Sequence, residues 1–244
     1  MKTLWHKLVI GQISPKPFTL KIIEPRNNSK GIILHLHGFP GDPVNEGYYT
    51  EEMFVKLDYT FITFNYPGLW DSPGYFSIEN LFLSTLKILD EITSKIATSK
   101  KKLVLFCESF GAAVGIHLII ERSAIIEKMI IRSPFLDFDP LLPYMPLTFK
   151  QLEGFGVLRL SKEGFDFDAL PRYNPKYLIK NNSKIPIWGV IGKNDSVLPS
   201  EFMIKAAEQN PIINLELWDD FPHNDISLDL WKNFFSSAEK FLNK

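Results

Sequence analysis

Lys102-Leu-Val-Leu-Phe-Cys-Glu-Ser-Phe-Gly-Ala-Ala-Val-Gly-Ile-His-Leu-Ile-Ile-Glu121 is a strand that runs straight into a helix, with a serine at the joint. Lys102 to Phe106 is a short apolar run rich in strand formers, and Ala112 to Glu121 has the small and aliphatic residues of a buried helix. Between them, Cys107-Glu108-Ser109-Phe110-Gly111 approximates G-x-S-x-G, the nucleophile elbow. So sharp a turn strains the serine backbone and thrusts its hydroxyl out of the sheet. It also brings together the residues two before and two after the serine, so both must be small. Gly111 meets that demand, and Cys107 stands where a glycine is usual. The competing reading of Ser109 is a plain helix N-cap.

Working outward, eight strand-like runs appear around residues 4–10, 17–23, 31–37, 59–65, 102–107, 127–132, 185–191 and 213–218. The turn-rich link Gly11-Gln-Ile-Ser-Pro15 predicts a hairpin between the first two. From the third onward, helical patterns separate most runs: Glu46 to Lys56, Ile78 to Ile96, Ser200 to Gln209 and Ser227 to Leu242. That alternation is the signature of a parallel α/β sheet. Right-handed crossovers gather the loops after the strands on one edge. No internal repeat or low-complexity tract interrupts the pattern.

A second motif narrows the fold. Gly31-Ile-Ile-Leu-His-Leu-His-Gly-Phe-Pro-Gly-Asp42 is a buried strand entering a glycine-punctuated loop. With the elbow, it resembles the α/β-hydrolase superfamily, whose His-Gly loop is matched by His37-Gly38. The resemblance implies a mostly parallel, eight-stranded central sheet flanked by helices. It implies backbone N–H donors for an oxyanion at Phe39 and Phe110, and a triad in the chain order serine, acid, histidine. Ile185-Pro-Ile-Trp-Gly-Val-Ile-Gly-Lys-Asn-Asp195 and Ile213-Asn-Leu-Glu-Leu-Trp-Asp-Asp-Phe-Pro-His223 supply an acid and a histidine after strand ends. The expected catalytic set is therefore Ser109, His223 and Asp195. Asp137 and Asp139 are rival acids, because some relatives take the acid from that strand end. Asp219, Asp220 and Asp225 lie near His223 in sequence. A plain loop histidine is the other reading of His223.

Asn65-Tyr-Pro-Gly-Leu-Trp-Asp-Ser-Pro-Gly-Tyr-Phe-Ser77 resembles the D-x-R-G-x-G-x-S-x-G loop of many relatives. Gly68, Ser72 and Gly74 fit, whereas Asn65, Pro67 and Trp70 depart from it. Trp70 is expected at the mouth of the site, against an acyl group, or else packed on its own loop. Residues 135–183 are too long for a simple crossover and carry Phe138, Leu141, Met145, Phe149 and Phe155 among five prolines. Disordered linkers are poor in such residues, so the segment should fold. The resemblance makes it a small cap after the sixth strand, with Met145 among its substrate contacts. A crossover without substrate contact is the alternative.

The remaining chemistry is sparse. His35 and His37 invite a metal reading, but the further His and Asp ligands at close spacing are missing, and no metal or cofactor is expected. His117 reads as packed and hydrogen-bonded, and His6 suggests nothing. Glu108 either recognises a cationic group or points into backbone or solvent, and Cys107 reads as a small buried residue. The 244 residues suggest one domain, with ample core. A net charge of −1 gives no electrostatic case for nucleic acid or anionic membrane. One cysteine fits a reducing compartment, and no apolar run suits a signal peptide or a membrane span. A cytoplasmic location is the expectation, with the oligomeric state open. The expected activity is cleavage of a carboxylic ester or thioester on a small acyl substrate. A serine peptidase or amidase, a non-catalytic binding module and a lyase using the same triad are the alternatives.

Overall fold

The strand Lys102–Glu108 runs through the middle of a sheet, and its side chains alternate between two cores. In the computed structural model, which describes residues 1–96, 102–181 and 184–244, eight strands form that sheet. They are β1 (Lys2–Leu8), β2 (Phe18–Glu24), β3 (Gly31–Leu36), β4 (Tyr59–Phe64), β5 (Lys102–Glu108), β6 (Lys128–Arg132), β7 (Ile187–Gly192) and β8 (Ile213–Trp218). Their order is β1-β2-β4-β3-β5-β6-β7-β8. β1 and β2 make the predicted hairpin, and β2 also meets β4 antiparallel. The pairs from β4 through β8 are parallel. The sheet is thus mixed at one edge.

The helices are α1 (Tyr49–Lys56), α2 (Ile78–Glu91), α3 (Gly111–Glu121), α4 (Met145–Gly154), α5 (Leu170–Tyr173), α6 (Pro175–Leu178), α7 (Ser200–Ala207) and α8 (Leu228–Leu242). β3 to β4 steps one way across the sheet, whereas β4 to β5, β5 to β6 and β7 to β8 step the other. Right-handed crossovers must then put α1 on one face and α2, α3 and α7 on the opposite one. The cores agree. Phe54 of α1 packs with Val104 and Phe106 of β5 and with Phe234 and Phe235 of α8. Leu103, Leu105 and Cys107 pack on the other face with Leu81, Val114 and Met203. Strands buried on both faces read as unbroken apolar runs, which is why β3, β4 and β5 stood out in the sequence.

The helix boundaries shift most from expectation at α1 and α2. α1 starts at Tyr49 rather than Glu46, because the Glu46 N–H closes a turn onto the Pro43 carbonyl, 2.9 Å. α2 ends at Glu91 and gives way to a π-helical turn over Ile92–Ile96. There the Thr93 hydroxyl donates to the carbonyls of Leu89 and Asp90, competing with the regular ladder.

The segment between β6 and β7 folds as a layer over the strand ends. It is joined to the loop after β4 by an antiparallel bridge, Leu69 to Leu158. The Trp70 N–H donates to Val157 at 2.8 Å, and Phe76 and Gly68 exchange backbone bonds with Arg159. The Arg159 guanidinium donates to the carbonyls of Trp70 and Ser72. Phe149 of α4 packs against Phe39 at a tilt and edge-on against Phe76, with ring centroids 5.1 and 5.8 Å apart. Residues 182 and 183, the end of the predicted insertion, lie outside the described residues.

Candidate active site

β3 and β5 are neighbours, but the chain leaves them toward opposite edges of the sheet. Such a reversal opens a crevice at the carboxyl ends of the strands, where ligands bind in open α/β sheets. Ser109 stands there with φ +50°, a left-handed conformation that a non-glycine residue adopts only under constraint. Gly111 shows the constraint: a β-carbon on it would sit 1.9 Å from the Leu36 carbonyl oxygen at the end of β3. Cys107 fits where a glycine was expected because Gly115, one turn into α3, faces it; a β-carbon there would lie 2.6 Å from the thiol. Burial pushes the Cys107 thiol well above its ordinary pKa.

The structure brings Ser109, His223 and Asp195 together from positions far apart in the chain. The Ser109 hydroxyl lies 3.2 Å from His223 Nε2. His223 Nδ1 lies 2.8 and 3.0 Å from the Asp195 carboxylate oxygens. Asp195 Oδ1 also accepts the N–H groups of Val197 and Leu198, at 2.9 and 2.8 Å. Burial opposes ionisation of Asp195, but the His223 hydrogen bond and those two N–H groups outweigh it, so its pKa lies below the ordinary value. An ionised carboxylate can only accept, so it fixes the proton on Nδ1 and leaves the Nε2 lone pair toward the serine. The two loops are pressed together at Gly192, where a β-carbon would meet the Phe221 carbonyl at 1.8 Å.

Among the described residues, no rival carboxylate bonds to His223. Asp137 accepts from Asn174 and pairs with Lys176, 3.1 Å, and Asp139 does the same, tying the segment after β6 to α6. Asp219 faces Lys193 at 3.6 Å. His117 packs on Phe82 and Tyr173 and makes no hydrogen bond among the described residues, so only the packed half of its reading stands. His6 pairs with Glu91.

Glu108 points neither to solvent nor to a ligand. Buried beside the serine, it accepts from His35 Nε2 at 2.7 Å and Arg132 Nε at 2.6 Å. Burial would raise its pKa, but the Arg132 charge and then the His35 bond hold it at about 2. Arg132 Nη1 donates in turn to the His223 carbonyl, 2.7 Å. A buried polar chain thus connects β3, β5 and β6 to the loop that carries the histidine. Sequence reading missed Arg132, since an arginine closing an apolar strand looks like a solvent-facing end. His37, with Nδ1 donating to the Gly38 carbonyl at 2.6 Å, is held by burial at a pKa of about 4.

A β-carbon on Gly38 would come within 3.2 Å of Ser109 Cβ, so the His-Gly loop overlies the serine. Among the described residues, the N–H groups of Phe39 and Phe110 have no acceptor. Two compartments meet at Ser109. An apolar pocket of about 370 Å³ runs under α4, walled by Phe39, Phe110, Phe135, Leu141, Met145 and Phe149. A wider cleft of about 780 Å³ opens on the other side, lined by Thr50, Arg132, His223, Asn224 and Asp225. Met145 borders the pocket. Trp70 borders the cleft rather than the apolar pocket, its indole N–H donating to the Gly41 carbonyl at 3.1 Å.

This sheet order, elbow and helix arrangement define the α/β-hydrolase fold. Solved structures share it at full length. Est1E from Butyrivibrio proteoclasticus with ferulic acid bound superposes with a TM-score of 0.73 and 15% identity, covering 97% of each chain. The Pyrococcus furiosus esterase Pf2001 gives 0.74 at 19% identity over 99% of this chain and 90% of that one. A soluble variant of monoglyceride lipase from Saccharomyces cerevisiae gives 0.71 at 15%, over 99% and 95%. At these identities the likeness is one of architecture. By sequence, 166 residues are 25% identical to an uncharacterized membrane protein of Saccharomyces cerevisiae, 66% of this chain and 54% of the yeast protein. The match thus spans about half of that relative. No protein-family model matches the chain. Among the described residues, no helix is long and apolar enough to cross a membrane.

Proposed function

We propose that the chain is a serine hydrolase that cleaves carboxylic esters through an acyl-serine intermediate. The observation that carries this is the unbroken line from the Ser109 hydroxyl through His223 to the Asp195 carboxylate. As the Ser109 oxygen bonds to the carbonyl carbon, His223 Nε2 takes its proton. Negative charge then develops on the carbonyl oxygen, where the N–H groups of Phe39 and Phe110 receive it. One such donor typically lowers the barrier by about 3 to 4 kcal/mol. The tetrahedral centre collapses, the bond to the leaving oxygen breaks, and His223 returns the proton to that oxygen. Water deprotonated by His223 attacks the acyl-serine in the second half and releases the acid.

The architectural relatives include two esterases and a monoglyceride lipase, which accords with ester chemistry on this fold. Thioesters are chemically open to the same steps. The segment from 135 to 183 acts as a cap whose underside contacts the acyl group. A fluorophosphonate probe tests the reading: wild type should be labelled at Ser109, and Ser109→Ala should not. Unlabelled folded wild type, together with no turnover on a panel of nitrophenyl esters, would leave a binding module as the better account.

A further inference from the structure

His223 is a wall of the wide cleft and not of the apolar pocket, although Ser109 and Phe39 border both. Resting on the hydrolase reading, this asymmetry fixes which way a substrate lies. The leaving oxygen must come within hydrogen-bond reach of Nε2 to receive its proton. The alcohol side therefore occupies the cleft, and the acyl side enters the pocket beneath α4.

The two compartments differ in chemistry. Phe110, Phe135, Leu141, Met145 and Phe149 offer the acyl side no polar partner beyond the Tyr144 and Thr148 hydroxyls at the pocket wall. Its volume of about 370 Å³ is at the small end of ligand pockets. On the other side, the carboxylates of Asp42 and Asp225 and the Asn224 amide can exchange hydrogen bonds with a leaving group. Tyr49 and Trp70 add flat apolar faces, and the Trp70 ring is held in place by its bond to Gly41. Glu108 and Arg132 are bonded to each other at 2.6 Å, which leaves Asp42 and Asp225 as the charged lining of the cleft, so an anionic leaving group is repelled. Neutral hydroxyls paired with flat C–H faces suit both sets of groups.

We infer that the substrate is an ester joining an apolar acyl chain to a neutral polyhydroxylated alcohol, of the glycerol or sugar kind, with the acyl chain under the cap and the polyol in the cleft.

The test holds the acyl chain constant and changes the alcohol. Octanoyl glucose and octanoyl glycerol should be cleaved with kcat/KM about tenfold or more above octanoylcholine and octanoyl coenzyme A. Octyl gluconate, which reverses the polarity across the same kind of bond, should be poorer than octanoyl glucose by a similar factor. Trp70→Ala should lower the ratio of kcat/KM for octanoyl glucose to that for nitrophenyl octanoate by about tenfold. Asn224→Ala, a change on an exposed loop, should move the same ratio in the same direction. Equal rates for all esters, or preference for the choline, coenzyme A or reversed ester, would overturn the inference while leaving the hydrolase intact. Absence of both turnover and fluorophosphonate labelling would overturn it together with the hydrolase reading.

Discussion

At the scale of single residues, Ser109 and His223 should be all-or-none. Ser109→Ala or His223→Ala should lower kcat on a nitrophenyl ester by roughly 10⁵ to 10⁶, since such groups act as a unit. Arg132 makes a subtler case, because it touches His223 only through the main chain. Arg132→Met should reduce kcat about a hundredfold by loosening the imidazole, and destabilise the fold by about 3 to 5 kcal/mol by stranding Glu108. The double variant Arg132→Met/Glu108→Gln should recover much of the stability but not the rate, measured by urea titration beside kcat. Ser109, Asp195 and His223 could be read from the sequence because each follows a strand end in a fixed order. Arg132 could not, since Glu108 meets it only through the pairing of β5 with β6, and the His223 carbonyl only through the packing of a distant loop.

At the scale of elements, the elbow is enforced from outside itself. Gly111→Ala would drive a methyl group into the end of β3, so soluble folded protein should be largely lost. Cys107→Gly, by contrast, should keep activity within about tenfold, because its neighbour across the turn is already Gly115. The segment between β6 and β7 is held by the Arg159 bonds to the loop of Trp70 and Ser72. Arg159→Met should therefore speed cleavage within residues 133–186 under limited proteolysis, ahead of cuts in the sheet. The eight strands were visible as apolar or alternating runs, and so was the folded character of the insertion. What stayed hidden was its attachment: backbone bridges such as Leu69 to Leu158 carry no side-chain signature.

At the scale of the whole molecule, stability should fall with acid in two stages. His37 has a folded pKa of about 4 against an ordinary 6.5, so the unfolded chain binds its proton first and stability drops between those values. Glu108, at about 2 against 4.5, contributes fully above 4.5 and loses that contribution as pH falls toward 2. Asp195, depressed from 3.8, acts in the same direction as Glu108. Urea midpoints between pH 7 and 4 should decline in wild type, and His37→Asn should flatten that limb. The sequence pointed to a parallel sheet with its loops on one edge, yet not to β4 lying outside β3. That order depends on which side each crossover takes, which local composition does not encode, and it is what opens the crevice for Ser109.

The burial of Cys107 has a practical consequence. It is the chain's single cysteine, fully enclosed between β5 and α3 directly behind the nucleophile. A maleimide can reach that sulfur only when the centre of the molecule opens, so its modification rate is a clock for core breathing. Run with and without a covalent inhibitor on Ser109, the same clock would reveal how far acylation at the rim stiffens the interior.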